Sequence, residues 1–192
     1  MGSLASVFRV LSYVPPPQGA TGPLAWPVVK IANASSLDPT KPLRFNYPLV
    51  DTPSVLVKVG APAENGVGPD SDIVAFSDYC QHLGCVYAAL PAGASPPCNS
   101  SFSAPSPQGY CCCHGGQYDF ANSGKVIGGP PPRPVPQVTL RYDGTTGDIF
   151  AVGMGPPTIF GHGPPGTTDP AQVLLNDLTG GDIVTQDKVF SN

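Results

Sequence analysis

The sequence predicts an all-β fold, on three observations. Glycine (23) and proline (26) make up about a quarter of the 192 residues, a proportion that punctuates a chain too often for long helices. Short runs rich in β-branched residues recur between Gly, Pro and Asp, and no stretch sustains a long 3.6-residue apolar period. An apolar fraction of 41% with a net charge of only −4 supplies enough material for a core and argues against disorder. In chain order, 54–59 and 72–76 read as strands. The turn Asn122-Ser123-Gly124 separates strand-like 117–121 from 125–127. The turn-forming segment 143–148 joins 138–142 to 148–152 as an antiparallel hairpin. Segments 60–72 and 86–110 have the composition of inserted surface loops. The tail 154–192 carries Gly-Pro-Pro runs, one or two helical turns at 171–178 and a modest strand signal at 182–184, and either wraps the domain or frays from it.

Charge excludes some partners. Only 11% of residues are charged, less than half of the roughly 25% usual for soluble domains. That leaves no basic footprint for nucleic acid and no polybasic patch for anionic lipid. No run approaches the roughly 18 apolar residues of a membrane-spanning helix, and no charged-then-apolar signal segment opens the chain. Met1-Gly2-Ser3-Leu4-Ala5-Ser6 fits a loose myristoylation pattern, but it equally fits the start of a trimmed chain, which is the reading preferred here.

Chemistry concentrates in one place. All six cysteines, at 80, 85, 98, 111, 112 and 113, fall within 34 residues, so they mark a local site and not a framework of staples. One loop reads Cys80-Gln81-His82-Leu83-Gly84-Cys85 and the other Cys111-Cys112-Cys113-His114-Gly115-Gly116. Each offers thiol and imidazole at short spacing, with glycines that allow a tight turn whose N–H groups point inward. Three readings compete. Three disulfides would leave His82 and His114 unexplained. A Cys₂His₂ zinc module needs four residues and leaves Cys85 and Cys113 surplus. A [2Fe–2S] cluster, with two cysteines on one iron and two histidines on the other, accounts for more of the pattern.

These boxes resemble the Rieske iron–sulfur proteins of quinol-oxidising, cytochrome bc-type respiratory complexes, whose motifs are Cys-X-His-Leu-Gly-Cys and Cys-X-Cys-His-Gly. The resemblance runs through Gln117-Tyr118-Asp119 and Ser123-Gly124-Lys125 to Gly129-Pro130-Pro131, covering roughly 72–152. It implies that Cys80 and Cys111 bind one iron, that His82 and His114 bind the other, and that Cys85 pairs with Cys113. It also implies an antiparallel base domain of residues 1–73 and 129–192 with a cluster-binding module, 74–128, inserted in it. Gly129, Pro130 and Pro131 are similar to the family's proline loop over the cluster. Leu83 corresponds to a residue that shields the cluster at the docking face, and Tyr118 to a hydroxyl aimed at the Cys80 sulfur. Three departures stand out. The boxes are farther apart than usual, so 86–110 is a private insertion. Cys112 replaces a customary proline and Cys98 is extra, most simply a Cys98–Cys112 disulfide. Gly116 stands where high-potential members carry a serine that bonds a bridging sulfide.

The charges explain the chemistry that the resemblance implies. Two ferric ions, two sulfides and two thiolates cancel, so the oxidised centre is neutral. Imidazole ligation therefore lifts potentials to about −150 to +300 mV from about −400 mV. Such a protein accepts an electron from quinol, coupled to a proton at the outer nitrogen of His82 or His114, and passes it to a cytochrome b-like or haem-bearing partner. Disulfides place it on the extracytoplasmic face of an energy-transducing membrane, and the family adds an N-terminal anchor helix that this chain lacks. Alternatives are the Rieske subunit of another oxidoreductase, such as arsenite oxidase or an oxygenase ferredoxin, and the zinc module. His162 reads as a solvated loop residue, and Asp78 and Asp119 as residues that orient turns.

Overall fold

The computed structural model describes residues 26–155 and 182–190, with the backbone of two short strands, β1 (Gln18–Gly19) and β2 (Gly22–Pro23). The helical turns expected at 171–178, the Gly-Pro-Pro runs and His162 lie outside the described residues. The molecule is all-β: among the described residues the only helix is a single 3₁₀ turn, Ala34–Ser36.

Six antiparallel strands form the larger sheet, in the order β3 (Val29–Asn33), β12 (Asp148–Met154), β11 (Gln137–Tyr142), β6 (Ile73–Ser77), β5 (Pro53–Lys58), β4 (Leu43–Asn46). The expected hairpin is there, with Tyr142 opposite Ile149 and Val138 opposite Met154. Its turn is held by Asp143, whose Oδ1 accepts from the Thr145 N–H at 2.8 Å, and by Gly147 at φ +76°. The second sheet has four antiparallel strands, β10 (Lys125–Gly128), β9 (Gly116–Asp119), β8 (Gln108–Cys111) and β7 (Ala88–Leu90).

Strands β5 and β6 are apolar on both faces because they lie between two cores. Successive side chains point to opposite faces. Leu56, Ile73 and Ala75 join the first core with Val29, Ile31 and Ile149. Val55, Val57, Val74 and Phe76 join the second, with Tyr87, Tyr118, Phe120, Cys80 and Cys111. The floor of the cysteine loops is thus the underside of the large sheet.

Three sequence expectations are refined. Strand β6 pairs with β5 through Ser77 and with β11 through Phe76, so the chain stays in the large sheet past residue 73. Segment 86–110, composed like a surface loop, contributes β7 and the start of β8, paired with Ala88 opposite Tyr110. Backbone pairing and the tilted contact of Phe102 with Tyr110, ring centroids 4.9 Å apart, override its Pro/Ser composition. The far end of the tail wraps the domain: Ile183 bridges to Leu49, Asn46 N donates to Val189 O at 2.7 Å, and Val184 and Val189 are buried.

Candidate metal centre

Both cysteine loops use the same local device. In the first, Gly84 N donates to Cys80 O at 2.9 Å; in the second, Gly115 N donates to Cys111 O at 2.8 Å. Each glycine takes a positive φ, +76° and +73°, which reverses the chain four residues after Cys80 and Cys111. The first loop is closed by Cys80 N donating to Cys85 O at 2.8 Å and by the Tyr79–Val86 bridge. The second caps the β8–β9 pair, where Cys111 faces Gly116.

Two disulfides tie these loops together. Cys85 joins Cys113 across a sequence separation of 28, and Cys98 joins Cys112 across 14. Among the described residues Cys80 and Cys111 are the free cysteines, and both are buried. The sulfurs of Cys85, Cys111 and Cys113 lie within 4.8 Å of one another, but oxidation takes two of the three out of metal binding. His82 and His114 meet edge to face with ring centroids 4.7 Å apart. His82 is half-buried and His114 exposed.

Tyr118 is fully buried under the first loop. Its hydroxyl lies 3.2 Å from Cys80 Sγ and accepts from the Gln81 N–H at 2.8 Å. Burial, and next the neighbouring Cys80, pushes its pKa up, so the phenol keeps its proton and is a donor to sulfur. The hydrogen bond from Cys111 holds the Cys80 thiol well below its usual range, while the same shared proton raises Cys111. The proline loop closes the other side. Pro131 is buried, and a Cβ at Gly116 would stand 2.7 Å from its Cγ and 3.4 Å from Cys80 Sγ. Gly129, at φ +77°, lies so near the second loop that a Cβ there would meet Gly115 O at 2.4 Å. Pro130 is exposed, and Leu83 is 39% exposed beside His82.

Some contributors carry no signal in the sequence. Arg44, from β4, donates from Nε to Asp78 Oδ2 at 2.5 Å and from its terminal nitrogen to Tyr87 O at 2.9 Å, bracing the entry and exit of the first loop. Asp78, expected only to orient a turn, is a buried ion-pair partner instead, and burial pushes its pKa up to about 6 despite Arg44. Asp119 does orient a turn: its carboxylate accepts from Ala121 N and Asn122 Nδ2. From Tyr79 to Tyr118 the chain holds no Asp, Glu, Lys or Arg, so the loops and the insertion present an uncharged face.

The donor set fits an asymmetric iron–sulfur centre. The two buried thiols are hydrogen-bonded to each other and the two imidazoles meet across the same loops, and His82 Nδ1 is buried without a hydrogen-bond partner, as a nitrogen reserved for a metal would be. Residues 27–139 match the family described as the Rieske [2Fe-2S] domain, so the chain belongs to that family and its cofactor is a Rieske-type [2Fe–2S] cluster. The chain is 37% identical over 130 residues to iodate reductase subunit IdrB of Denitromonas iodatirespirans, covering 67% of this chain and 63% of that one. It is 34% identical over 126 residues to the IdrB of Pseudomonas sp. (strain SCT), covering 65% and 59%. It thus spans less than two thirds of the length of these relatives. Among solved structures, the soluble domain of Rieske protein II (soxF) from Sulfolobus acidocaldarius superposes with a TM-score of 0.56 at 34% identity, covering 83% of this chain and 91% of that one. The chain is a Rieske-type iron–sulfur electron-transfer protein. No described helix is long and apolar enough to cross a membrane.

Proposed function

We propose that the chain relays single electrons from a quinol to a haem-bearing acceptor, with Cys80 and Cys111 holding one iron and His82 and His114 the other. When bound, the cluster supplies one-electron chemistry at a mild potential. The chain's own residues do the rest. The observation that carries this reading is the exposed imidazole of His114 against the half-buried His82, which leaves ring nitrogen at the surface while the thiols stay buried. A ring nitrogen there accepts a hydrogen bond from a quinol hydroxyl and takes its proton when the electron leaves. Leu83 supplies an apolar wall for the ring, and the Tyr118 hydroxyl stabilises the added negative charge on sulfur. The disulfides suit an extracytoplasmic face, where a membrane anchor would place the protein beside a cytochrome b-like partner.

Similarity to the iodate reductase subunits favours a second reading, in which the acceptor is the catalytic subunit of a reductase and the quinol step belongs elsewhere. Stopped-flow mixing of the oxidised protein with a short-chain quinol separates the two. Direct reduction that speeds up as pH is raised, as a proton-accepting ring nitrogen requires, supports the first; a protein that quinol leaves oxidised supports the second. Under either reading the midpoint potential falls from neutral to alkaline pH, approaching about 59 mV per pH unit for each coupled proton. A flat profile would defeat the proton coupling.

A further inference from the structure

Three consecutive cysteines have three different fates in this protein. Cys111 is a buried free thiol, exposed Cys112 is joined to exposed Cys98, and Cys113 is joined to Cys85. Chain statistics alone cannot secure that pattern. A Cys85–Cys112 pair would close a loop one residue shorter than the observed separation of 28, a difference with almost no entropic weight. Cys112 also sits near the first loop: it lines the same cleft as Val86, the neighbour of Cys85. A free Cys112 thiolate could attack Cys85 Sγ, breaking the Cys85–Cys113 bond and forming Cys85–Cys112. The thiolate leaves on Cys113, which gains the proton that Cys112 lost, so no oxidant or reductant is consumed. That exchange would put a competing thiol within 4.8 Å of Cys111.

We propose that Cys98 sets the disulfide register of the second ligand loop: by holding Cys112, it leaves Cys113 to Cys85 and the Cys111 thiol to the iron. Its own pairing closes a separation of 14, half that of Cys85–Cys113. Halving a flexible loop raises the effective concentration of its ends about threefold, so Cys98 reaches the cysteine triplet before Cys85 does, and the fold joins it to Cys112. The inserted segment 86–110 is then the carrier of a pairing guard. Pairing β7 with β8 and hydrogen-bonding Gly93 N to Ala104 O fold the segment that presents Cys98 at the loop.

The test compares Cys98→Ser with Cys98→Ser/Cys112→Ala in the full chain, purified with its cluster. Free thiols are alkylated under acid quench and disulfide-linked peptides mapped by mass spectrometry, with visible absorbance giving cluster per chain. The single variant is expected to show Cys85–Cys112 pairing in at least about one chain in ten, alkylated Cys113 and at least about a twofold loss of cluster. The double variant is expected to restore Cys85–Cys113 as the sole pair and cluster content close to that of the parent. A single variant that keeps Cys85–Cys113 alone overturns the proposal. So does a double variant that loses as much cluster as the single one, or that fails to fold alongside it, because a mere brace would act that way. The proposal rests on the cluster reading only through the absorbance; the disulfide map stands whether or not iron is bound.

Discussion

At the scale of single residues, tuning rests on what touches Cys80. Removing the Tyr118 hydroxyl deletes a donor to Cys80 Sγ and leaves the Gln81 N–H without its acceptor. A hydrogen bond to a charged group contributes about 1.5 kcal/mol or more, and about 1.4 kcal/mol corresponds to about 60 mV for one electron. Tyr118→Phe is expected to lower the midpoint by about 60 mV in a redox titration and to lower the melting temperature. An unchanged potential would remove Tyr118 from the tuning set. Gly116→Ser is expected to raise the potential, because its Cβ falls 3.4 Å from Cys80 Sγ, and to cost stability, because the same Cβ falls 2.7 Å from Pro131 Cγ. Redox titration and thermal melts read both, and a fall in potential would count against the hydroxyl argument. The sequence displayed the candidate ligand residues because metal chemistry restricts which side chains can serve and turn geometry limits their spacing. It did not display Arg44 or the buried pairing of Asp78, because that contact joins strands 34 residues apart.

At the scale of elements, the site consists of two loops on a shared sheet, and its rigidity comes from what closes them. A disulfide closing a loop of the Cys85–Cys113 size contributes about 3 kcal/mol, in the chain-entropy account. Arg44 adds a second closure. Arg44→Ala would leave the buried Asp78 carboxylate without its cation and is expected to destabilise the fold by about 3 kcal/mol near neutral pH in denaturant titrations. Burial raises the folded-state pKa of Asp78 above the usual carboxylate range to about 6, so protonation favours the folded state as pH falls through that window. The deficit of the variant is therefore expected to shrink as pH is lowered toward about 4. A deficit that grows instead would show that Asp78 is not the group left unpaired. Turn residues made the β11–β12 hairpin legible within two residues at each end. Strands β3 and β4 and the short β7 were not, since β7 shows three residues of Ala and Leu and owes its existence to pairing with β8.

For the whole molecule, cysteine loops and an insertion that carry no formal charge of their own, on a chain of net charge −4, weaken electrostatic steering at this face. Screening acts on charges, and none lies between Tyr79 and Tyr118. Reduction of the oxidised protein by a small cationic donor is expected to change less than about threefold in second-order rate when ionic strength is raised from about 0.01 to about 0.5 M. A tenfold change would mean that charge elsewhere governs the encounter. The two-sheet arrangement explains how an exposed site can be firm: the face of β5 and β6 that meets the ligand loops is continuous with their packed interior. The central claim is the asymmetric donor set, sulfur at one iron and nitrogen at the other. Electron paramagnetic resonance of the reduced protein, with ¹⁵N-histidine labelling, tests it most directly. The account predicts a mixed-valent signal whose average g lies below that of all-cysteine clusters, with hyperfine coupling from two histidine nitrogens. A signal without nitrogen coupling, or zinc-bearing protein free of inorganic sulfide, would contradict it.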